Sequence, residues 1–442
     1  MFSFMNFIGQ FCSSFLTMVF TVCLSFFSIL GGVGRELPKA PDTFTPVVRF
    51  AVCSDVHLNG VEGEEREQRL ATLFDDAYAY SQQSANYKNL DAVVVVGDFT
   101  NRGEDVQYQR FNAIVSEHIK EGTQLICTVG NHEFIAYRDY DPTIGYEKYK
   151  QYICEDVDTH NVINGYHFIG VSYADDAKTF HGKTGWLKNE LKAAKADTGN
   201  KPIFVFQHPQ PFGTVYGSVN WGNVEVGTVL NLFPQVIDFS GHSHYNANDP
   251  RSIWQGAYTA VGTGSTAALM GNLNYIDGDK DAPGESGSFW IVEADADGNV
   301  RLQLYDIVNH KFFTQTDYYL SDITNLCKRR YTWGNLKSLD TAPQFPENSE
   351  ISVRKDADGN SILVFPDAYG YYPAENYKII VSKNIFKNVW SDTVISNYVR
   401  AESTEMTVNM GKLESGTYKV KITPYSPYAK GGQAITGTIT IS

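Results

Sequence analysis

The run VVRFAVC at residues 47–53 decides the fold, because six of its seven side chains are apolar and Arg49 alone interrupts it. An apolar run of strand length without polar alternation is typical of a strand buried on both faces. Residues 92–96 (AVVVV) and 124–129 (QLICTV) are two further runs of this kind. The segments between them place apolar side chains at helical spacing, namely Leu70, Leu73, Phe74 and Ala77, then Phe111, Ile114, Val115 and Ile119. The order strand, helix, strand, helix, strand predicts a layered α/β domain.

The alternation continues downstream. Asn164-Gly165 lies between two apolar segments and predicts a tight hairpin turn. A helical segment at 186–191 precedes strand-length apolar runs at 203–206 and 236–239, and after Tyr245 the pattern becomes strand-rich.

The sequence Asp-Ala-Asp-Gly-Asn occurs twice, at residues 295–299 and 356–360. An EF-hand calcium loop requires glycine at its sixth position, whereas Gly298 and Gly359 stand fourth. We therefore expect turns rather than calcium sites.

The last hundred or so residues show a β pattern without helical periodicity. Residues 339–348, which contain Pro343 and Pro346, have the composition of a domain boundary. Short apolar runs follow at 351–353, 362–365, 377–381, 418–422 and 434–441. This spacing predicts an all-β sandwich, which resembles a fibronectin type III module through its patterning alone. We expect an α/β domain over residues 44–325 and an accessory sandwich over residues 340–442. The α/β domain is expected to fold without the sandwich.

Residues 1–34 carry no charged side chain, and their apolar stretch ends near Leu30. A stretch of this length is typical of a signal peptide or of an uncleaved membrane anchor, and both alternatives stay open. No Lys or Arg precedes the apolar run, whereas Gly31, Gly32 and Gly34 are small residues suited to a cleavage site. We expect a secreted or membrane-anchored, extracytoplasmic protein.

The composition is globular and acidic, with 36 Lys and Arg against 50 Asp and Glu and a formal charge of −14. An acidic surface repels phosphate backbones, so long nucleic acid is not an expected partner. Cys53 and Cys127 lie in apolar runs, as buried free thiols do. The irregular cysteine spacing indicates neither a disulfide framework nor a zinc–thiolate site.

Five short polar motifs, each following an apolar run, predict the functional site. They are Asp55-Val56-His57, Gly97-Asp98, Gly130-Asn131-His132-Glu133, His208 and Gly241-His242-Ser243-His244. Open α/β sheets bind ligands at the strand ends, where rigid strands hold side chains at one edge. Asp55 and His57 are two residues apart, so an extended backbone would project both toward one cluster, and the same holds for His242 and His244.

These residue types favour a centre with two metal ions. Two dications about 3.5–4 Å apart repel each other, and a shared carboxylate offsets that repulsion. Asp98 is the natural bridging residue. Histidine and carboxylate ligands suit divalent or trivalent Mn, Fe, Zn or Ni better than Ca. Such ions would activate a water molecule as hydroxide and neutralise the charge of a phosphate ester.

Together, in this order and over about 190 residues, the five motifs resemble the calcineurin-like metallophosphoesterase superfamily. The resemblance covers roughly residues 47–325 and implies a two-sheet core flanked by helices. It implies hydrolysis of a small phosphate ester, either a phosphomonoester or a phosphodiester. The implied ligand sets are Asp55, His57, Asp98 and His244 for one metal ion, and Asp98, Asn131, His208 and His242 for the other. His132 would be the acid for the leaving group or a donor to the transition state.

Arg102 is a further candidate catalytic residue. Residues 97–103 (GDFTNRG) are similar to the phosphoprotein-phosphatase element Gly-Asp-x-x-Asp-Arg-Gly, with Asn101 in place of Asp. The arginine of that branch grips phosphate, a task that suits a bidentate guanidinium. The arginine that precedes Gly-Asn-His-Glu in that branch is replaced by Val129, and residues 97–108 also resemble class III cyclic-nucleotide phosphodiesterases. Arg102 therefore either contacts the substrate or stabilises its loop.

Other interpretations stay open at this point. A cyclic-nucleotide phosphodiesterase is the nearest enzymatic alternative, and a non-catalytic metal-binding surface protein is the alternative from another class. The complete ligand set and His132 argue against the second. The aromatic residues after His208 either line a substrate cleft or pack their own loop, and they are Phe212, Tyr216 and Trp221. The remaining histidines are expected to be structural, namely His118, His160, His167, His181 and His310.

Overall fold

The computed structural model describes residues 33–174, 179–272, 279–281, 285–384, 387–401 and 403–442. The leader predicted for residues 1–34 lies, apart from its last two residues, outside these ranges. Within the ranges, every helix is too short or too polar to cross a membrane.

Two six-stranded mixed sheets form the core of the α/β domain. Its strands are β1 (Pro46–Cys53), β2 (Ala92–Val96), β3 (Gln124–Thr128), β4 (Thr159–Ile163), β5 (Tyr166–Val171), β6 (Ile203–Gln207), β7 (Val236–Ser240), β8 (Ile253–Gln255), β9 (Thr259–Gly262), β10 (Met270–Asn272), β11 (Asp279–Asp281), β12 (Ser288–Asp295), β13 (Val300–Asp306) and β14 (Lys311–Leu320). The first sheet has the order β14-β13-β12-β1-β2-β3 and the second β4-β5-β6-β7-β9-β8, while β10 and β11 pair separately. The two-sheet α/β fold expected from the sequence is confirmed.

Parallel pairing brings the motif-bearing strand ends to one edge of each sheet. In the first sheet β1 runs parallel to β2, and β2 to β3. In the second sheet β5, β6, β7 and β9 are parallel neighbours in that order. Parallel strands end at a common edge, so the loops after β1, β2 and β3 are neighbours, as are those after β6 and β7.

Helices accompany both sheets. They are α1 (Glu65–Gln83), α2 (Asp105–His118), α3 (Thr143–Tyr152), α4 (Lys183–Thr198), α5 (Ser218–Trp221), α6 (Val224–Leu230) and α7 (Trp333–Leu339), with short 3-10 turns at His132–Phe134, Pro250–Ser252, Leu326–Lys328 and Asn397–Val399. The predicted apolar stripes of α1 and α2 are buried in one cluster with alternate residues of β1 and β2. Packing of these stripes against the sheet explains the helical periodicity of the sequence.

The run at residues 47–53 is buried on both faces, as predicted. Phe50 and Val52 face the space between the sheets, whereas Ala51 and Cys53 belong to the cluster that includes the helices. All four are fully buried. The ring of Phe50 lies 4.7 Å from that of Phe204 on the opposite sheet, in an edge-to-face contact.

Arg49, the exception in the run, is buried too. Its Nε donates to Glu293 Oε1 at 2.6 Å, and its Nη1 donates to Tyr87 O at 2.6 Å. A buried charge requires such partners, so this arginine is compatible with a core strand.

The predicted turns are confirmed. Asn164 and Gly165 both have positive φ, 50° and 79°, and join β4 to β5. At the first Asp-Ala-Asp-Gly-Asn repeat, Asp295 Oδ1 accepts from the backbone N–H groups of Asp297 and Asn299 at 3.0 and 2.9 Å. Asp356 makes the corresponding contacts in the second repeat, so both are carboxylate-capped turns.

The C-terminal part consists of two antiparallel sheets. Its strands are β15 (Ser352–Lys355), β16 (Ser361–Pro366), β17 (Asn376–Asn384), β18 (Lys387–Ile395), β19 (Glu405–Asn409), β20 (Gly416–Tyr425) and β21 (Ile435–Ile441). The sheet orders are β15-β16-β19 and β18-β17-β20-β21, with a common apolar core. This three-plus-four arrangement is compatible with the fibronectin type III-like sandwich expected from the sequence.

A buried interface connects the sandwich to the α/β part of the chain. Arg251 pairs with Asp249 at 2.6 Å and also with Glu375 of the sandwich. The hydroxyl of Tyr398 donates to Asp249 Oδ2 at 3.2 Å. Leu269 lies in one apolar cluster with residues 395–399. The two parts therefore share buried charges and apolar contacts.

Candidate metal centre

Every motif predicted from the sequence lies directly after a strand. Asp55 and His57 follow β1, Asp98 follows β2, Asn131 and His132 follow β3, His208 follows β6, and His242 and His244 follow β7. The carboxylate and imidazole groups of these loops form three overlapping groups in which potential ligand atoms lie within 4.8 Å of one another. The loops of the two sheets thus meet at one place.

The extended backbone predicted for the paired ligands is wrong. Asp55 and His57 have φ values of 54° and 52°, and His242 and His244 have 72° and 56°. Asp98, with φ 53°, is in the same left-handed region. Non-glycine residues rarely adopt it, and such strain is concentrated at functional sites. The members of a pair converge because the loop that carries them turns sharply, and not because a pleated strand places them on one face. In the first pair, His57 N–H donates to Asp98 O at 2.9 Å.

Asp55 is the centre of the first group. Its Oδ1 lies 3.2 Å from His244 Nε2 and 3.7 Å from His57 Nε2. The two imidazole Nε2 atoms are 2.9 Å apart. His244 Nδ1 is 3.2 Å from the carbonyl oxygen of Ala268, so its N–H points there and the lone pair of Nε2 faces the group.

Asp98 lies between the two halves of the site. Its Oδ2 is 2.8 Å from His208 Nε2 and 4.0 Å from His57 Nε2, and these histidines belong to different ligand groups. His208 Nδ1 donates to Val96 O at 2.8 Å, which orients the ring. The ring of His242 lies 5.1 Å from that of His208. A carboxylate shared by two ligand sets would occupy this position.

The site residues fit a pair of transition-metal ions. Asn131 Oδ1 is buried and has no hydrogen-bond partner within the described part of the chain. An orphaned buried oxygen is costly unless an ion or a water molecule meets it. Carboxylate oxygens, imidazole nitrogens and one amide oxygen form a donor set that suits Mn, Fe, Zn or Ni.

The electrostatics of the site keep the carboxylates ionised. Burial opposes ionisation of Asp55, but His244 and His208 outweigh it and hold its pKa well below the usual value. Burial also disfavours a charged His208, yet Asp98 and Asp55 raise its pKa to about 10. Burial and the charge of His208 lower the pKa of His242 to about 4. Because metals bind deprotonated ligands, binding at His208 would release a proton.

Glu133 holds the candidate site together, although the sequence analysis assigned it no role. Its buried carboxylate accepts from the backbone N–H groups of Asp98 at 3.0 Å, Gly130 at 2.8 Å and Thr100 at 3.0 Å. Burial and the charge of Asp98 raise its pKa to about 7. The sequence did contain a signal for this residue, because its carboxylate directly follows the ligand motif that comes after an apolar run. Glu133 joins the loops that carry Asp98 and Asn131.

The two candidate catalytic residues differ in placement. His132 Nδ1 donates to Asn101 O at 2.8 Å, and its Nε2 lies 4.0 Å from Asp98 Oδ2. Arg102 Nε instead donates to Glu104 Oε1 at 3.1 Å, with half of the arginine side chain exposed. The structure therefore brings His132 into the ligand cluster and places Arg102 in a loop ion pair.

The aromatic residues after His208 also separate. Tyr216 is a packing residue, because the Arg251 guanidinium lies 3.8 Å over its ring and its hydroxyl donates to Glu375. The ring of Trp221 lies 5.8 Å from that of His242, and the residue is 45% exposed. Phe212 is 48% exposed. Trp221 is thus the member of this set that adjoins the site.

The loops of the two sheets, with the Asp98 carboxylate shared by two histidine groups, define a candidate metal centre. Residues 48–246 match the family described as calcineurin-like phosphoesterase. A glycerophosphodiester phosphodiesterase, GpdQ of Enterobacter lignolyticus (strain SCF1), is 27% identical over 209 residues, which are 42% of this chain and 69% of that protein.

Two solved structures were also compared. Purple acid phosphatase PPD1 from yellow lupin (Lupinus luteus) seeds is similar over 64% of this chain and 55% of its own, with 14% identity and a TM-score of 0.46. The 5′-nucleotidase precursor from Thermus thermophilus is similar over 62% and 54%, with 16% identity and a TM-score of 0.30. This chain spans about half the length of each.

The match to the calcineurin-like phosphoesterases covers residues 48–246, within the α/β part of the chain. The protein is a phosphoric ester hydrolase whose reaction is metal-dependent, and the matched family implies a binuclear metal centre.

Proposed function

We propose that the protein hydrolyses small phosphodiesters at a centre of two transition-metal ions. The observation that carries the proposal is the position of the Asp98 carboxylate, which has His208 and His57 within 4.0 Å and belongs to two of the three ligand groups. Asp55, His57, Asp98 and His244 would hold one ion, and Asp98, Asn131, His208 and His242 the other. Bound there, the ions would supply Lewis acidity to the phosphoryl oxygens and to an attacking water.

His132 is proposed as the acid that protonates the leaving oxygen. The carbonyl oxygen of Asn101 accepts from Nδ1, so the ring presents Nε2 to the ligand cluster. The side chain is 28% exposed, which leaves room for a substrate oxygen to approach. The ring delivers a proton from Nε2 when both of its nitrogens are protonated.

Two observations favour a diester over a monoester. A phosphomonoester is largely a dianion near neutral pH, and arginines that grip terminal phosphate oxygens favour its binding. The guanidinium of Arg102 is instead paired with Glu104. The similarity to a glycerophosphodiester phosphodiesterase supports a diester independently.

The test is a comparison of bis(p-nitrophenyl) phosphate with p-nitrophenyl phosphate on Mn²⁺-loaded protein. We expect kcat/KM to be at least about tenfold higher for the diester, which corresponds to about 1.4 kcal/mol of transition-state stabilisation. Chelation should abolish both activities, and His132→Ala should retain the metal while losing turnover. A tenfold preference for the monoester, or hydrolysis that survives metal removal, would refute the proposal.

Trp221 favours a cyclic-nucleotide phosphodiesterase as a second candidate function. An exposed indole beside His242 is a surface on which a nucleobase can stack, and such stacking contributes about 1–3 kcal/mol per base. For this candidate, Trp221→Ala should raise KM for 3′,5′-cyclic AMP at least about fivefold more than for bis(p-nitrophenyl) phosphate. Equal effects on both substrates would exclude it.

We also propose that the protein is exported, on the strength of the charge-free apolar stretch at residues 1–34. Expression of the full chain followed by fractionation and N-terminal sequencing would distinguish a cleaved leader from an anchor. Recovery of the intact chain in the cytosol would contradict export.

A further inference from the structure

Two histidines outside the centre form a second cluster of potential ligand atoms. His160 on β4 and His167 on β5 lie on the same face of the hairpin, where His160 pairs with Ile169 and His167 with Val162. His160 Nε2 is 2.7 Å from His167 Nδ1. Helix α4 contacts β5 and supplies a carboxylate to the outer nitrogen of each ring.

The outer contacts determine where the protons are. His160 Nδ1 lies 2.6 Å from Glu190 Oε2, and His167 Nε2 lies 3.0 Å from Asp197 Oδ2. An ionised carboxylate only accepts hydrogen bonds, so both outer nitrogens carry hydrogen. If both rings are neutral, their inner nitrogens, His160 Nε2 and His167 Nδ1, carry lone pairs that face each other across 2.7 Å. This arrangement is repulsive unless a cation lies between them.

We propose that His160 and His167 bind one divalent transition-metal ion of the Zn, Ni or Cu class through these inner nitrogens. Imidazole suits these ions, and metal-bound histidines typically donate their other N–H to a carboxylate, as both rings do here. A divalent ion also balances the charges of Glu190 and Asp197, whereas a shared proton leaves one negative charge uncompensated. The His160 side chain is 17% exposed, so water can complete the coordination.

The catalytic centre contains the same arrangement of ring nitrogens. There the Nε2 atoms of His57 and His244 are 2.9 Å apart, and the outer nitrogen of His244 faces a carbonyl oxygen. The second cluster is distinct from that centre. His167 lies opposite Ile203 on the neighbouring strand, five residues before the candidate ligand His208, which corresponds to roughly 16 Å along the sheet.

The ion would connect β4 and β5 directly and α4 through the two carboxylates. Its binding would stabilise this edge of the second sheet without contributing to hydrolysis. With the free metal ion at about 100 times the Kd of the site, binding should raise the Tm by roughly 5 °C.

The test is equilibrium dialysis of the metal-free full-length chain against Zn²⁺, with elemental analysis of bound metal. We expect His160→Ala and His167→Ala each to bind one equivalent less than the wild type and to lose part of the Zn²⁺-dependent rise in Tm. Their hydrolytic activity on bis(p-nitrophenyl) phosphate should be unchanged. The matched control is His118→Ala, because His118 contacts the carboxylate of Asp75 at 3.1 Å and its side chain is similarly exposed, at 20%.

The difference of one equivalent does not depend on how many ions the catalytic centre holds, so this test is separate from the proposed function. Equal metal content in the wild type and both variants would show that the rings share a proton, and the proposal would fail. His160→Ala also resolves the matter if the more buried His167→Ala does not fold. Loss of one equivalent in His118→Ala as well would show non-specific binding and overturn the site.

Discussion

Glu133 connects two ligand-bearing loops through one buried carboxylate. The backbone groups that donate to it belong to Asp98, Thr100 and Gly130. These donors hold Asp98 in its left-handed conformation and Asn131 beside it. A residue outside the candidate ligand set can therefore determine where the candidate metal ligands stand.

Glu133→Gln should damage the centre without removing a ligand. The amide nitrogen that replaces one oxygen would face N–H donors, leaving buried groups unpaired at a cost of about 1–3 kcal/mol. We expect a lower Tm and a fall in kcat/KM of about 10–100-fold, measured by thermal unfolding and hydrolysis of bis(p-nitrophenyl) phosphate. The control is Glu121→Gln at an exposed position, which should change Tm little. Wild-type activity and Tm in Glu133→Gln would contradict this role.

At this scale the sequence predicts residue types better than conformations. Asp55, His57 and the later ligands were identifiable because carboxylates and imidazoles rarely follow successive apolar runs by chance. Their positive φ values were not, since they depend on hydrogen bonds such as that from His57 N–H to Asp98 O on another strand. Arg102 shows the same limit, because its motif does not reveal that Glu104 is its partner.

At the scale of elements, the loops after the strands are packed too closely for larger side chains. A Cβ atom on Gly241 would lie 2.4 Å from Asp55 Oδ2 and from Ser54 Oγ. The loop after β7 can therefore reach the loop after β1 only with glycine at this position. Close approach of the two loops is what brings His242 and His244 to Asp55.

Gly241→Ala should separate the two loops. We expect Asp55 to be displaced from His244, with weaker metal binding and a loss of about 100-fold or more in kcat/KM, since a displacement of about 1 Å can cost that much. Gly185→Ala in α4 is the matched control, because a Cβ atom there meets nothing within 4 Å. That change should stabilise the helix by up to about 1 kcal/mol. Metal titration and thermal unfolding would distinguish the two, and equal behaviour of both variants would disprove the packing argument.

The elements themselves were predictable where burial is one-sided or complete. The apolar runs of β1 and β2 and the stripes of α1 and α2 appear in the structure as expected. Strand β18 was missed because most of its residues are exposed or half-buried, so its sequence lacks a clear apolar alternation. Short helices such as α3 were missed because few of their side chains are buried.

At the scale of the whole molecule, the sandwich is bound to the α/β part through buried charges. Arg251 is surrounded by Asp249 and by Glu375 of the sandwich, and Tyr216 stacks beneath it. Tyr216 precedes α5, the short helix that ends at Trp221, the aromatic residue beside His242. The composition of residues 339–348 indicates a boundary, but it carries no information on which surfaces meet across it.

This interface changes the expected result of a truncation. The sequence predicts that a chain ending near Leu339 folds and retains activity on small esters. Removal of the sandwich would expose Leu269. It would also remove Glu375, so that Arg251 would keep Asp249 as its carboxylate partner. The newly exposed apolar surface and the loss of the Glu375 contact both destabilise the α/β part relative to the full chain. We therefore expect the truncated chain to have a lower Tm and a reduced kcat/KM for bis(p-nitrophenyl) phosphate.

Glu375→Ala in the full chain isolates the charge contribution from the loss of a whole domain. It should lower the Tm substantially, since for an α/β part of this size 1 kcal/mol corresponds to roughly 2–4 °C. Glu414→Ala is the control, because Glu414 is an exposed residue whose contact with Lys383 is 3.6 Å long, and such surface pairs contribute about 0–1 kcal/mol. If Glu375→Ala unfolds with the wild-type Tm and the truncated chain is fully active, the sandwich is an independent accessory domain. A drop in Tm for Glu375→Ala, with a wild-type Tm for Glu414→Ala, would show that the buried charges of this interface stabilise the folded chain.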